Sequence, residues 1–290
     1  MSAAFDNRLI TLTIAVNGET IATYDQNFYI IATGMTYTNG NFGECALRID
    51  NISQQVRDQL VTATSQWGNL NRTPASITLS VGRESYGTFQ IFNGNAIASN
   101  PTQPPDIGLM IRSLTKANLF GYPNAFTASP MASLKDICQN VAQSIGATLD
   151  FQATTNPLIG NYRFTGAQAK QVKKLNDLGI NAYFDQASDT LVVTDYNAAR
   201  ELPIVQVNSD TGMIGVPEVT EIGVRARMLI TNEIKIGSPV EIKSKINPAS
   251  NGTYTIQKLG FEIASRDVPF YWILDCQYNN FGAQTQGSGS

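Results

Sequence analysis

Between Arg8 and Val16, Thr11 and Thr13 alternate with Ile10, Leu12 and Ile14; Asn17-Gly18 follows, then the β-rich residues 19–24. A two-residue period sets one face of an extended strand against a core. Asn-Gly accepts the positive backbone angles that a two-residue hairpin demands. Residues 29–38, 44–49, 76–81, 87–98 and 107–115 carry further strand patterns, the first of them closed by Asn39-Gly40. The turn-rich run Asn100-Pro101-Thr102-Gln103-Pro104-Pro105 interrupts them. One short helix is expected after Ser53, a capping residue, with Val56, Leu60 and Val61 on its apolar stripe. So many strands and one helix over residues 1–117 predict a small closed barrel or sandwich, and closure would leave no edge open to aggregation.

The pattern changes over residues 118–200. Ser133 caps a helix with Asp136 three residues on, a variant of the capping box. Leu134, Ile137, Cys138, Val141, Ala142 and Ile145 form one face of it, and Gly146 ends it. A strand over 147–152, a short one over 162–164, a second helix over 167–178 stopped by Gly179, and a hairpin of 181–185 with 190–194 complete an α+β insert. Residues 201–283 return to strand patterns, over 213–217, 220–230, 238–246, 253–264 and 269–278. The expected fold is therefore mainly β: two small β-barrels, 1–117 and 201–283, flank the helix-containing module 118–200, with residues 284–290 a flexible tail.

What the chain lacks excludes much chemistry. It contains no histidine, so Ser-His-Asp and Cys-His sites are ruled out, as are most zinc and non-haem iron sites. No glycine-rich phosphate loop is present, and Asn208-Ser209-Asp210-Thr211-Gly212 lacks the trailing Glu of a calcium loop. Acidic pairs of glycosidase type exist by chance among 23 acidic residues and carry no signal. No catalytic, cofactor-binding or metal-ligating residue is proposed. Cys45, Cys138 and Cys276 are too widely spaced for a disulfide framework or a zinc pattern, which suggests folding in a reducing cytoplasm. No basic stretch followed by an apolar run opens the chain, and no stretch is apolar enough to span a membrane. Net charge is −3, and the basic groups Lys170, Lys173 and Lys174, and Lys243 with Lys245, read as solvated faces rather than a nucleic-acid site. Charged residues make up only 15%. Uncharged polar surface is cheaper to desolvate than charged surface, which suits a chain that buries much of itself against partners.

Three segments resemble the baseplate hub proteins of contractile-tailed bacteriophages and related contractile injection systems. The first runs from Gly212-Met213-Ile214-Gly215-Val216-Pro217 through Gly223-Val224-Arg225-Ala226-Arg227 and Ile236-Gly237-Ser238-Pro239-Val240 to Asn251-Gly252-Thr253-Tyr254. The second is Phe164-Thr165-Gly166-Ala167-Gln168-Ala169 leading to Ala182-Tyr183-Phe184-Asp185, and the third is Ala132-Ser133-Leu134-Lys135-Asp136.

The resemblance implies a structural virion protein of the tail baseplate, made in the host cytoplasm. It implies a homotrimer whose two β domains per subunit give a pseudo-six-fold ring. That ring joins the tail tube protein to the central spike protein, contacts other baseplate proteins and the tape-measure protein, and passes DNA without binding it specifically. No cofactor is implied. The mildly acidic balance leads us to expect Asp and Glu on the channel wall, where they would repel DNA. Two other readings stand beside this one. The insert could bind cell-wall glycan through exposed rings, with Tyr122, Tyr162, Tyr183 and Tyr196 the candidates, since Trp67 and Trp272 lie outside it. A cell-wall-degrading enzyme with an acidic pair is the third.

Overall fold

The structure, a computed structural model, describes residues 6–65, 75–104, 107–120 and 123–278. Pro105, Trp67, Tyr122 and the expected tail over 284–290 lie outside the described residues.

Strands β1 (Arg8–Val16) and β2 (Glu19–Asp25) form the expected hairpin. Asn17 and Gly18 take φ of 55° and 83°, the positive angles of a type I′ turn. β3 (Ile30–Tyr37) and β4 (Glu44–Asp50) follow. Helix α1 (Gln54–Thr64) starts where the Ser53 hydroxyl accepts from the Val56 N–H at 3.4 Å, and it buries Val56 and Leu60. β5 (Ala75–Arg83), β6 (Gly87–Pro101) and β7 (Gly108–Leu114) complete the first β region. The expected turn-rich loop begins two residues late, because Asn100 and Pro101 still pair with Met110 and Leu109. β6 pairs β5 from Gly87 to Asn95 and β7 from Asn95 to Pro101, with a bulge at Ala96/Ala98 between. The bend folds the sheet over, so Ile10, Leu12 and Ile14 of β1 share one core with Leu47, Ile49 and Ile111.

The second β region holds β15 (Val205–Val207), β16 (Met213–Val219), β17 (Gly223–Leu229), β18 (Pro239–Ile242), β19 (Gly252–Ala264) and β20 (Phe270–Tyr278). The run expected over 220–230 starts instead with a turn, in which the Thr220 N–H donates to the Gly223 carbonyl at 2.8 Å.

Mainly β structure with an α+β insert is what forms, but two closed barrels are not. β19 pairs antiparallel with β3, from Lys258↔Tyr37 to Ala264↔Ile31. Both β regions thereby join one sheet, in the order β16-β17-β20-β19-β3-β4-β7-β6-β5-β1-β2, and no pairing among the described residues closes it. One apolar core, from Ile10 to Cys276, lies under both regions. Side groups tie them further. The Arg8 and Arg83 guanidiniums stand over the Phe270 ring at 5.0 and 5.4 Å, and Tyr86 donates to the Ile230 carbonyl at 2.9 Å. Alternation told which face of each strand is buried; it carried no information on which strand takes the free edge.

The insert contains β8 (Pro123–Thr127), β9 (Met131–Ser133), α2 (Leu134–Ser144), β10 (Thr148–Phe151), β11 (Leu158–Gly160), β12 (Arg163–Ala167), α3 (Lys170–Leu175), β13 (Ile180–Asp185) and β14 (Thr190–Asp195). α3 is shorter than the expected 167–178: Ala167 ends β12, and a 3-10 turn over Asn176–Leu178 carries the chain to Gly179 at φ 80°. All six residues of the predicted α2 face are buried in the insert's own core. The Ser133 hydroxyl accepts from the Asp136 N–H at 3.1 Å and donates to its carboxylate at 2.7 Å. Replacing Ser133 by alanine should therefore cost about 1 kcal/mol and lower the midpoint of thermal unfolding by about 2–4 °C. An unchanged melting curve would show that packing alone holds the start of α2.

Two polar anchors fix the insert to the sheet. Gln186, only 3% exposed, accepts from the Thr115 hydroxyl at 2.9 Å and donates to the Ile91 carbonyl at 3.2 Å. Arg200 donates to Asp150 at 3.0 Å and to Asp185 at 2.8 Å, while its own N–H reaches the Gly237 carbonyl at 2.9 Å.

Candidate functional site

The central part of the sheet is covered on one side only. In β17, β20, β19, β3, β4 and β7 one alternate set of residues is buried, among them Ala226, Trp272, Phe261, Ala32, Leu47 and Ile111. The other set stands on an open face that crosses both β regions. Gly260 and Ala46 leave a shallow hollow of about 310 Å³ near its middle, floored by Met35, Thr33 and Ile273 and rimmed by Glu44, Glu262 and Arg112.

Every charged residue of these six strands, of β16 and of the far half of β6 lies on that face. There are five carboxylates, Glu44, Asp50, Glu218, Glu262 and Asp275, and five cations, Arg48, Arg112, Arg225, Arg227 and Lys258. Most of the carboxylates are engaged within the face. Arg225 holds Asp275 through two bonds, at 2.5 and 3.1 Å, and this bonding raises the Arg225 pKa. Arg48 holds Asp50 in the same forked manner, at 2.8 and 3.0 Å. Tyr271 donates to Glu262 at 2.5 Å, which raises the phenol pKa, and Tyr37 donates to Glu44 at 3.1 Å. Both signs are present on this face in equal number.

The sheet has two free edges beside this face. β16 pairs only with β17, and β6 from Ala96 to Pro101 pairs only with β7. Exposed aliphatic residues flank both: Val216, Val219 and Ile222 at the first, Ile97 and Met110 at the second.

The remaining sequence candidates fall elsewhere. Lys170, Lys173 and Lys174 are exposed on α3, with Lys174 paired to Asp177, and Lys243 pairs with Glu241. In the loop of residues 208–212, the Asn208 side chain accepts from the Asp210 and Thr211 N–H groups, as a turn does. The three cysteines are free and buried, and burial pushes their thiols up, Cys138 to about 12, which keeps them from acting as thiolates. Of the candidate tyrosines that are described, Tyr162 and Tyr183 are buried and only Tyr196, 68% exposed, presents its ring. Trp272 is a core residue that donates to the Thr231 carbonyl at 3.0 Å. Sequence reasoning missed the open face, because its charged residues come from strands far apart in the chain.

The segments that carry the hub resemblance are the hairpin β16–β17, the start of β18, the start of β19 and the frame of the insert. A family model described as baseplate hub gp41 matches residues 9–276. The chain belongs to this family. Baseplate hub proteins are structural components of phage tails, and the match covers the insert as well as both β regions. No curated protein matches the chain in sequence. Among solved structures, the 43 kDa tail protein of prophage MuSo2 from Shewanella oneidensis is similar, with a TM-score of 0.65 at 10% identity, over 93% of this chain and 97% of that one. A tail protein from Neisseria meningitidis gives a TM-score of 0.63 at 10% identity, with the same two coverages. A type VI secretion system component of E. coli gives 0.59 at 9% identity, over 92% of this chain and 77% of that one. At such identities the likeness shows the shared fold alone.

Proposed function

We propose that three copies of this hub chain join head to tail into a closed ring, with the open sheet face toward a central channel. The ring sits between the tail tube and the central spike, contacts other baseplate proteins and the tape-measure protein, and lets the genome pass. One observation carries this reading: the open face that crosses both β regions is bounded by two different free edges, β16 and the far half of β6, each flanked by exposed aliphatic side chains. Natural proteins cover or charge such edges. Two unlike edges on one subunit suit a heterologous contact, which generates a ring when the rotation closes. Residues 1–117 and 201–283 then act as two similar units per copy, which would let a three-fold ring meet a six-fold tube. Residues 118–200 stand beside the sheet as a separate unit with its own core.

Light scattering coupled to size exclusion tests the reading. The expected mass is three times the 31.5 kDa of the chain, alone or after mixing with the spike and tube proteins. A chain that stays monomeric under both conditions would sink it.

A further inference from the structure

The charges of the open face are ordered as well as balanced. Glu218 pairs in register with Arg225, Arg225 with Asp275, Asp275 with Lys258, and Lys258 with Tyr37, whose hydroxyl donates to Glu44. The row therefore crosses β16, β17, β20, β19 and β3 with the sign changing at each charged step. Neighbouring strands stand about 4.8 Å apart, so the sign repeats over about 10 Å, and the potential above such a row decays over only about 1.5 Å. A phosphate one water layer above the row meets almost no net field, whereas a stripe of one sign would act over the Debye length of about 8–10 Å.

We infer that this alternating row makes the face indifferent to a polyanion, so that double-stranded DNA touches it and is neither held nor repelled. The inference rests on the reading that the face lines the channel, and it adds what the wall presents to its cargo. Cross-strand pairing also steadies the sheet, so the experiment must read more than stability.

The variant Glu218→Gln/Asp275→Asn keeps the shape of the row and leaves Arg225 and Lys258 without their carboxylates. A control, Glu19→Gln/Glu201→Gln, makes the same change in net charge at exposed positions away from the face. Each protein is titrated against a short fluorescent DNA duplex with free ends, and binding is read by anisotropy. Wild type and control are expected to show no binding. The row variant is expected to bind, at least about tenfold more weakly at 200 than at 50 mM salt, as two phosphate contacts would dictate. Glu218→Gln alone, at an exposed site that leaves the Arg225–Asp275 pair intact, should show a smaller gain and guards against a folding defect in the double variant. Binding by wild type, equal gains in control and row variant, or no gain in either row variant would each overturn the inference. Mass measured on the same samples, alone and after mixing with the spike and tube proteins, keeps the two ideas apart: a ring whose row variants gain nothing defeats the inference alone, and a chain that stays monomeric under both conditions defeats the ring.

Discussion

Replacing Arg200 by alanine is expected to destabilise the chain by about 3–5 kcal/mol, the usual cost of taking one partner from a buried ion network. Arg200 is 8% exposed and Asp185 2% exposed. The guanidinium bridges β10 and β13 of the insert, through Asp150 and Asp185, to the segment that leads into the second β region. Without it Asp185 keeps only the Ala187 N–H and the Ser188 hydroxyl as donors. The expected fall in the thermal midpoint is roughly 10 °C. Adding Asp185→Asn should recover part of the loss, because a neutral amide no longer buries an unpaired charge. Lysine at position 200 should recover less than the full amount, since a point charge cannot reach two carboxylates as a planar fork does. Stability within 1 kcal/mol of wild type for the alanine variant would mean that the insert is held by packing and by Gln186 instead.

Elements with a local cause were legible in the sequence. The hairpin β1–β2 follows from alternation plus Asn17-Gly18, and α2 follows from Ser133, Asp136 and a helical stripe that is buried in full. What depends on distant partners was not legible. Nothing near Lys258 announces that β19 crosses to β3, and a two-residue period reads the same in a closed barrel and in a sheet bent at a bulge in β6. The short strands β9 and β11, three residues each, are too brief to show a period. Gln186 lies in a predicted turn, yet its side chain is buried against Thr115 and Ile91. The charge row escaped for the same reason as the β19–β3 joint. Glu218, Arg225, Lys258 and Asp275 become neighbours only through register, and composition reports a net charge without its arrangement.

The joint between the two β regions makes the most sensitive target. Gly34 of β3 stands opposite Phe261 of β19 and Cys45 of β4. A Cβ there would lie 2.5 Å from Phe261 Cε1 and 2.7 Å from the Glu44 carbonyl oxygen. The ring is 1% exposed and packs edge-on against Trp272 at 6.3 Å, and the carbonyl belongs to the backbone of the neighbouring β4, which cannot yield without shifting that strand. Gly34→Ala should cost about 1–3 kcal/mol and Gly34→Val more, because the strain must be met by parting β3 from β19 or from β4. Gly260, one strand away on the open face, is the contrast. Its Cβ would meet Ile273 Cβ at 3.3 Å and the Gly34 carbonyl oxygen at 3.6 Å, so Gly260→Ala should cost about 1 kcal/mol or less. Denaturant unfolding of the three variants reads the difference. Equal small losses would mean that the β19–β3 ladder yields easily and is not what unites the two regions. A large loss confined to position 34, together with a fall in the mass of any ring that wild type forms, would tie assembly to this single ladder.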